Sequence, residues 1–233
     1  RGDYGNLMAG ELTHIGFICD GNRRWARAQN LPTLEGHKRG FDKVEVIIDA
    51  LKDTEVQFLS FFLFSTENWD RSPEEIAYLM DLVEKKIDDL TKKAMKDNMR
   101  VVVMGRPEPV KPKLWQKIMN SEAETAENTG KTICICFNYG GKWEIADAAT
   151  KAIAAGETEL TPETFEKYLY HPEVPACDLI IRTSGEERIS GFQLWRAAYA
   201  EFLFIDKHFP AIEAEDCQKF LDEFHNRQRR FGK

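Results

Sequence analysis

The 233-residue chain carries 32 Lys and Arg against 39 Asp and Glu, a net charge of −7, with 42% hydrophobic and 30% charged residues. That length accommodates one α/β domain with a sizeable core, and the negative charge argues against broad binding to nucleic acid or anionic membrane, so a phosphate site must be a local basic pocket. No stretch approaches the roughly 20 apolar residues that span a bilayer, and no basic start followed by an apolar core marks a secretion signal. The chain therefore reads as soluble, with residues 1–11 a flexible N-terminal segment, Met8 the expected initiator, and 12–233 one folded domain.

The first strand is predicted at 15–19. It runs into Asp20-Gly21-Asn22-Arg23-Arg24-Trp25, a turn that enters a helix opening on two arginines. A helix is predicted at 36–52, with Phe41, Val44, Ile47, Ile48 and Leu51 on one face. The run 58–64 is almost continuously apolar, as a strand covered on both faces should be. A long helix at 74–97 follows Ser72-Pro73-Glu74-Glu75, which combines an N-cap serine, a first-turn proline and acidic first-turn residues. A strand at 101–104, a loop at 105–109 and a helix at 111–127 come next, then a strand at 132–138 and helices at 141–155 and 162–169. Strands at 178–181 and 202–205 and a helix at 214–229 complete the chain. Strand and helix alternate throughout, which implies an α/β fold: one mainly parallel six-stranded sheet flanked by helices.

The five cysteines, Cys19, Cys134, Cys136, Cys177 and Cys217, are odd in number and scattered, so no disulfide framework is expected and a reducing cytoplasm fits. Cys134 and Cys136 face one side of a strand and read as buried thiols rather than a metal pair. The run 122–127 reads as a solvated helix face. The basic end Arg227 to Lys233 has too little aromatic interleaving for nucleic-acid binding.

Ligands of a parallel sheet bind beyond the carboxyl ends of its strands. Taken alone, the Asp20–Arg24 junction fits either a helix capped by Asn22 with solvated arginines, or a phosphate cradle. In the second case Asp20 would repel the phosphate unless a cation such as Mg²⁺ bridged them. The loops after the later strands are Ser65 to Arg71, Asn138 to Trp143, and Arg182 to Ser190. Several arginines on one predicted edge point to more than one phosphate group, with Arg182, Arg188 and Ser190 as an anion clamp. His37, after Gly36, is a candidate partner for a phosphate. His14, His171, His208 and His225 read as structural.

These segments resemble the cis-prenyltransferases, of which undecaprenyl diphosphate synthase is the best-known type. The resemblance rests on His14 to Trp25, Gly36-His37-Lys38-Arg39-Gly40, Phe64 to Arg71 and Asn138-Tyr139-Gly140-Gly141. It continues through Asp178 to Ser190, Leu194-Trp195, Tyr199-Ala200-Glu201 and the terminal Arg230-Phe231-Gly232, so that 12–233 is implied to be the catalytic domain. It implies a hydrophobic tunnel and a Mg²⁺-dependent condensation of isopentenyl diphosphate with an allylic diphosphate in cis geometry. Asp20 and Glu201 are then the metal-linked carboxylates. Gly21, Asn22, Arg23, Arg24 and Trp25 form the allylic pocket, with His37 on phosphate as a proton relay. Ser65, Thr66, Glu67, Trp69 and Arg71 belong to the second substrate loop. Asn68 takes the place often given to a proton acceptor; since an amide is a poor base, it is expected to orient isopentenyl diphosphate. Arg182, Arg188, Ile189 and Ser190 hold that substrate. Arg230 and Gly232 reach a partner subunit, implying a homodimer, and product release implies possible peripheral membrane contact by a cytoplasmic enzyme.

Three positions depart from the family pattern. Thr33 replaces an arginine on the allylic diphosphate, Gly191 replaces an asparagine between Ser190 and Phe192, and Leu63 replaces a small residue facing the tunnel. A bulky Leu63 predicts a short or medium product. The first two changes leave open an irregular, head-to-middle coupling of allylic diphosphates. A non-catalytic scaffold subunit is the remaining alternative, and the presence of Asp20, Asn22, Arg24, His37 and Asn68 speaks against it.

Overall fold

A computed structural model describes residues 11–227. The flexible segment expected at 1–11 falls almost wholly outside these residues, as do Arg230 and Gly232. Six strands, β1 (His14–Ile18), β2 (Phe58–Ser65), β3 (Arg100–Met104), β4 (Thr132–Tyr139), β5 (Leu179–Arg182) and β6 (Glu201–Phe204), form one sheet in the order β3-β4-β2-β1-β5-β6. All pairings are parallel, so every strand ends at the same edge. β1 lies beside β5, with Ile18 opposite Arg182. From β1 the chain leaves toward β2 and from β5 toward β6, which opens a crevice between their carboxyl ends.

Side chains alternate across the pleat and both faces are covered. On one face Phe17, Phe61, Val103, Ile135 and Ile181 pack against α2 (Thr33–Leu51), α3 (Pro73–Lys96), α4 (Pro112–Glu124) and α7 (Ala214–Asn226). On the other, Phe62, Cys134, Cys136 and Ile180 meet Tyr139 and Phe192. Beyond them, α5 (Gly141–Ala154) and α6 (Pro162–Glu166) close a smaller cluster. Cys134 and Cys136 are buried free thiols on one face, and burial pushes the Cys134 thiol up to about 12.

Several helix ends differ from the sequence expectation. α2 starts at Thr33, before Gly36, because Pro32 ends the preceding turn in extended geometry. Gly36 therefore sits inside the helix, where packing requires it: a Cβ there would lie 2.0 Å from the Asn22 carbonyl oxygen of α1 (Asn22–Ala28). α4 stops at Glu124 because Thr125 Oγ1 turns back onto Ser121 O at 2.9 Å and accepts from Val101 N. α6 ends at Glu166, since the next amides bond three residues back rather than four. The 65–71 loop contains a 3₁₀ turn, Thr66–Asp70, folded by Ser65 N–H donating to Asn68 Oδ1 at 3.1 Å.

Candidate active site

β1 delivers Asp20 to the crevice, and Gly21 turns the chain into α1. Gly21 has φ +95°, in the left-handed region that glycine tolerates, and a Cβ there would fall 1.8 Å from Ser184 Oγ. Gly21, not Asn22, is the N-cap; Asn22 opens the helix and its side chain lies on Gly40 of α2. The cap reading of Asn22 is thereby corrected. The Asp20 carbonyl is held by Thr183 Oγ1 (2.7 Å), Ser184 Oγ (2.9 Å) and Phe209 N (3.0 Å). Its carboxylate accepts from Gly21 N at 2.6 Å and Arg182 Nη2 at 2.9 Å, with Arg24 Nη2 at 3.2 Å. Burial opposes its charge, but Arg182, the Gly21 N–H and Arg24 outweigh it and hold the carboxyl below its usual range.

A cavity of about 340 Å³ opens beside Asp20, lined by Cys19, Gly21, Asn22, Arg23, Arg24, Arg27, His37 and Arg71. Four arginines on one cavity suit a multiply charged anion. His37 is buried and its Nε2 bonds Glu75 Oε1 at 2.9 Å; burial, helped by the nearby charges of Arg71 and Arg23, outweighs Glu75 and lowers its pKa below 6.5, so it is neutral near pH 7. Trp25 and Thr33 are half-buried and do not line this cavity.

Across the crevice Arg182, 4% exposed, donates through Nη1 to Ser190 Oγ (2.7 Å) and to the Arg188 carbonyl. Its buried Nε has no partner among the described residues. Arg188 and Ser190 are exposed, while Ile189 packs on the Phe192 cluster. Glu186 bridges the two halves, with Oε1 3.0 Å from Arg24 and Oε2 2.5 Å from Arg188. Gly191 has φ +79° and its carbonyl accepts from Gly141 N at 2.9 Å.

In the second loop Trp69 Nε1 donates to Asn138 Oδ1 at 2.8 Å, and Arg71 donates to Glu75 at 3.0 Å. Ser65 and Thr66 are half-buried, with Thr66 Oγ1 unpartnered among the described residues, and Glu67 is exposed. Glu201 is not brought to Asp20 within this chain. It opens β6 opposite Leu179, three residues before the Arg182–Phe204 pair, about 10 Å along the strand at ~3.3 Å per residue. There it pairs with Arg227 Nη1 at 3.3 Å.

No group of three or more acidic, His or Cys side chains fit to hold a metal exists among the described residues. The site thus offers the Asp20 carboxylate beside a group of arginines suited to phosphate, with Glu75 and Glu186 already paired to arginines. That set fits Mg²⁺, which is commonly held by one or two carboxylates together with substrate phosphates and water.

Sequence reasoning missed Arg27, although it lies three and four residues after Arg24 and Arg23 and so shares their helix face. It also missed Glu75, four residues after Arg71.

The sequence model of the family described as undecaprenyl diphosphate synthase matches residues 18–232. The chain belongs to that family. An isoprenyl transferase of Neisseria meningitidis is 42% identical over 220 residues, covering 94% of this chain and 89% of that protein. An isoprenyl transferase of Thermotoga maritima is 41% identical over 223 residues, covering 94% and 96%. Among solved structures, lavandulyl diphosphate synthase of Lavandula x intermedia, in complex with dimethylallyl diphosphate, superposes with a TM-score of 0.90 at 28% identity, covering 96% of this chain and 99% of that one. A probable undecaprenyl diphosphate synthase of Campylobacter jejuni gives 0.82 at 30% identity with the same coverage. As a family member the chain is a prenyl-group transferase on the cis-prenyltransferase fold.

Proposed function

We propose that this chain condenses isopentenyl diphosphate with an allylic diphosphate, in cis geometry and with Mg²⁺, to a polyprenyl diphosphate of short or medium length. The observation that carries the reading is a pair of cationic clusters flanking one carboxylate. Arg23, Arg24, Arg27 and Arg71 surround one cavity, and Arg182 with Arg188 and Ser190 stands across Asp20. The first suits the allylic diphosphate, the second isopentenyl diphosphate. Arg27 supplies the charge that Thr33 lacks.

Asp20 would hold Mg²⁺, which when bound offsets charge on the departing diphosphate. Arg23, Arg24 and Arg71 stabilise the same charge, which exceeds that of the bound substrate only as the bond breaks. The alkene must then meet the allylic carbon, so orientation matters more than nucleophile strength. Asn68 fits an orienting role, because its amide oxygen already accepts from Ser65 and it has no basic group to offer. A phosphate oxygen or the Asp20 network takes the proton. The growing chain enters the space between α2, α3 and the sheet, where Phe41, Val44, Leu63, Val83, Ile87 and Phe137 line an apolar cavity of about 40 Å³. The homodimer, with Arg230 and Gly232 at the partner's site, is part of the proposal and is checked by light scattering.

The test is product analysis by mass spectrometry from dimethylallyl, geranyl and farnesyl diphosphates, each with and without isopentenyl diphosphate. Isopentenyl-dependent products shorter than C55 are expected. Product from dimethylallyl diphosphate alone would favour irregular coupling, the second reading that Thr33 and Gly191 motivate.

A further inference from the structure

One carboxylate, not among the residues so far given a role, joins three walls of the arginine-lined cavity. Glu75 occupies the third position of α3, where Ser72 Oγ accepts from its N–H at 3.3 Å. Its side chain is 10% exposed and meets a cationic or imidazole group from each of three segments. Oε1 accepts from His37 Nε2 of α2 at 2.9 Å and from Arg71 Nη1, at the end of the second loop, at 3.0 Å. Oε2 lies 3.8 Å from Arg23 Nη1 of α1. A carboxylate this enclosed keeps its charge only when paired and hydrogen-bonded, and these groups supply both.

We propose that Glu75 is the positioning residue of the allylic diphosphate pocket: it fixes His37 as the Nε2–H tautomer and holds Arg71 and Arg23 on one wall before the diphosphate arrives. The inference rests on the reading of that pocket given above. An ionised carboxylate only accepts hydrogen bonds, so the imidazole nitrogen facing it must carry the hydrogen. With His37 neutral, Nδ1 then presents a lone pair. His37 therefore serves the pocket by placement and not by donating a proton from Nδ1 to phosphate. Arg71 spends one donor on Glu75 and keeps the rest of its fork for the ligand. Two long side chains ordered in advance need not be ordered on binding, which favours association.

Two effects of removing Glu75 oppose each other. Loss of a negative charge by itself would tighten diphosphate binding, whereas release of Arg71, Arg23 and His37 would disorder the site. Positioning predicts that the second dominates. The test compares Glu75→Gln and Glu75→Leu with Glu74→Gln, an exposed neighbour, in the full chain. The expected result is a fall of about tenfold or more in kcat/KM for the allylic diphosphate, the size expected for losing hydrogen bonds to charged groups. KM for isopentenyl diphosphate stays within about twofold, and Glu74→Gln behaves as wild type. His37→Gln, whose amide N–H can stand where Nε2–H does, should outperform His37→Asn.

Nitrogen-15 NMR of the imidazole gives a readout independent of turnover: Nε2–H in the wild type, and a mixture of tautomers in Glu75→Leu. An Nδ1–H tautomer in the wild type overturns the proposal without any variant. So does wild-type kcat/KM in both Glu75 variants, or pyrophosphate binding that tightens with turnover kept. A wild type inactive with every allylic primer plus isopentenyl diphosphate would sink the pocket's functional reading instead, and the tautomer would still test the geometry.

Discussion

Replacing Leu63 by alanine should lengthen the product. Leu63 lies near the carboxyl end of β2, half-buried, on the cavity between the sheet and helices α2 and α3. That cavity is small, about 40 Å³, where one water needs ~10–15 Å³ of such space. Cutting the isobutyl branch to a methyl extends the space along the path from the diphosphate sites. Each further five-carbon unit buried there would contribute ~4 kcal/mol, at ~0.8 kcal/mol per carbon, or about a thousandfold in retention of the chain. Elongation would then outrun release. The fold should tolerate the change: for a half-buried leucine the cost lies near the low end of the Leu→Ala range, ~2–3 kcal/mol, or roughly 5–10 °C in Tm. The assay is the chain-length distribution by mass spectrometry, beside a thermal melt, with Leu63→Phe as the opposite perturbation that should shorten products. An unchanged distribution in a folded Leu63→Ala enzyme would refute the reasoning, as would a wild type making mainly C55.

Asp20→Asn should fold and still lose turnover by about 10² or more, the scale of removing one electrostatic element of an active site; undiminished turnover would remove Asp20 from the mechanism. Gly191→Asn should be tolerated within ~1 kcal/mol, because asparagine accepts φ +79° and a Cβ there has no neighbour nearer than Gly141 N at 4.0 Å; denaturant melts check it. A pH effect follows from His14, fully buried, whose pKa burial lowers from 6.5 to about 4. The unfolded chain takes up a proton at this site below pH 6.5 and the folded one only near 4, so the stability contributed above 6.5 is lost as pH falls across that window. The full loss is about 3 kcal/mol. His14→Gln should flatten the slope of unfolding free energy between pH 4 and 6.5, and an identical slope would show that His14 is not its source.

Strand positions were legible because period and composition determine them. The apolar run 58–64 and the Cys134/Cys136 alternation identify buried strands with no tertiary knowledge. Two features of the helix boundaries that moved rest on contacts elsewhere in the chain. Gly36 reads as the start of its helix until Asn22 is seen against it, because the glycine makes room for a neighbouring helix. Thr125 ends α4 partly by accepting from Val101, a strand residue 24 positions earlier.

The same distinction separates the site residues that were readable from those that were not. Arg182 closes β5, Asp20 follows β1 by two residues and Arg24 lies on the first turn of the helix after it, so a parallel sheet alone predicts that they converge, and the 2.9 Å Asp20–Arg182 bond spans 162 residues to do so. Glu75 and Arg27 sit on helices, where nearness to the crevice depends on how α1, α2 and α3 cross. Their spacing from Arg71 and Arg24 signalled a helical pair, not a place at the site. Glu201 is the converse: it belongs to a family pattern, yet β6 begins where the other strands begin, so its carboxylate faces Arg227 at the amino edge. A metal that needed both Asp20 and Glu201 could not gather them from this one chain. Phosphate oxygens, water or a second subunit would have to complete its coordination, which ties the metal's affinity to substrate or dimer. Mg²⁺ titration with and without inorganic pyrophosphate therefore probes the assembly directly: binding should tighten at least tenfold with pyrophosphate, and equal affinity in both conditions would mean that the chain carries a metal site of its own.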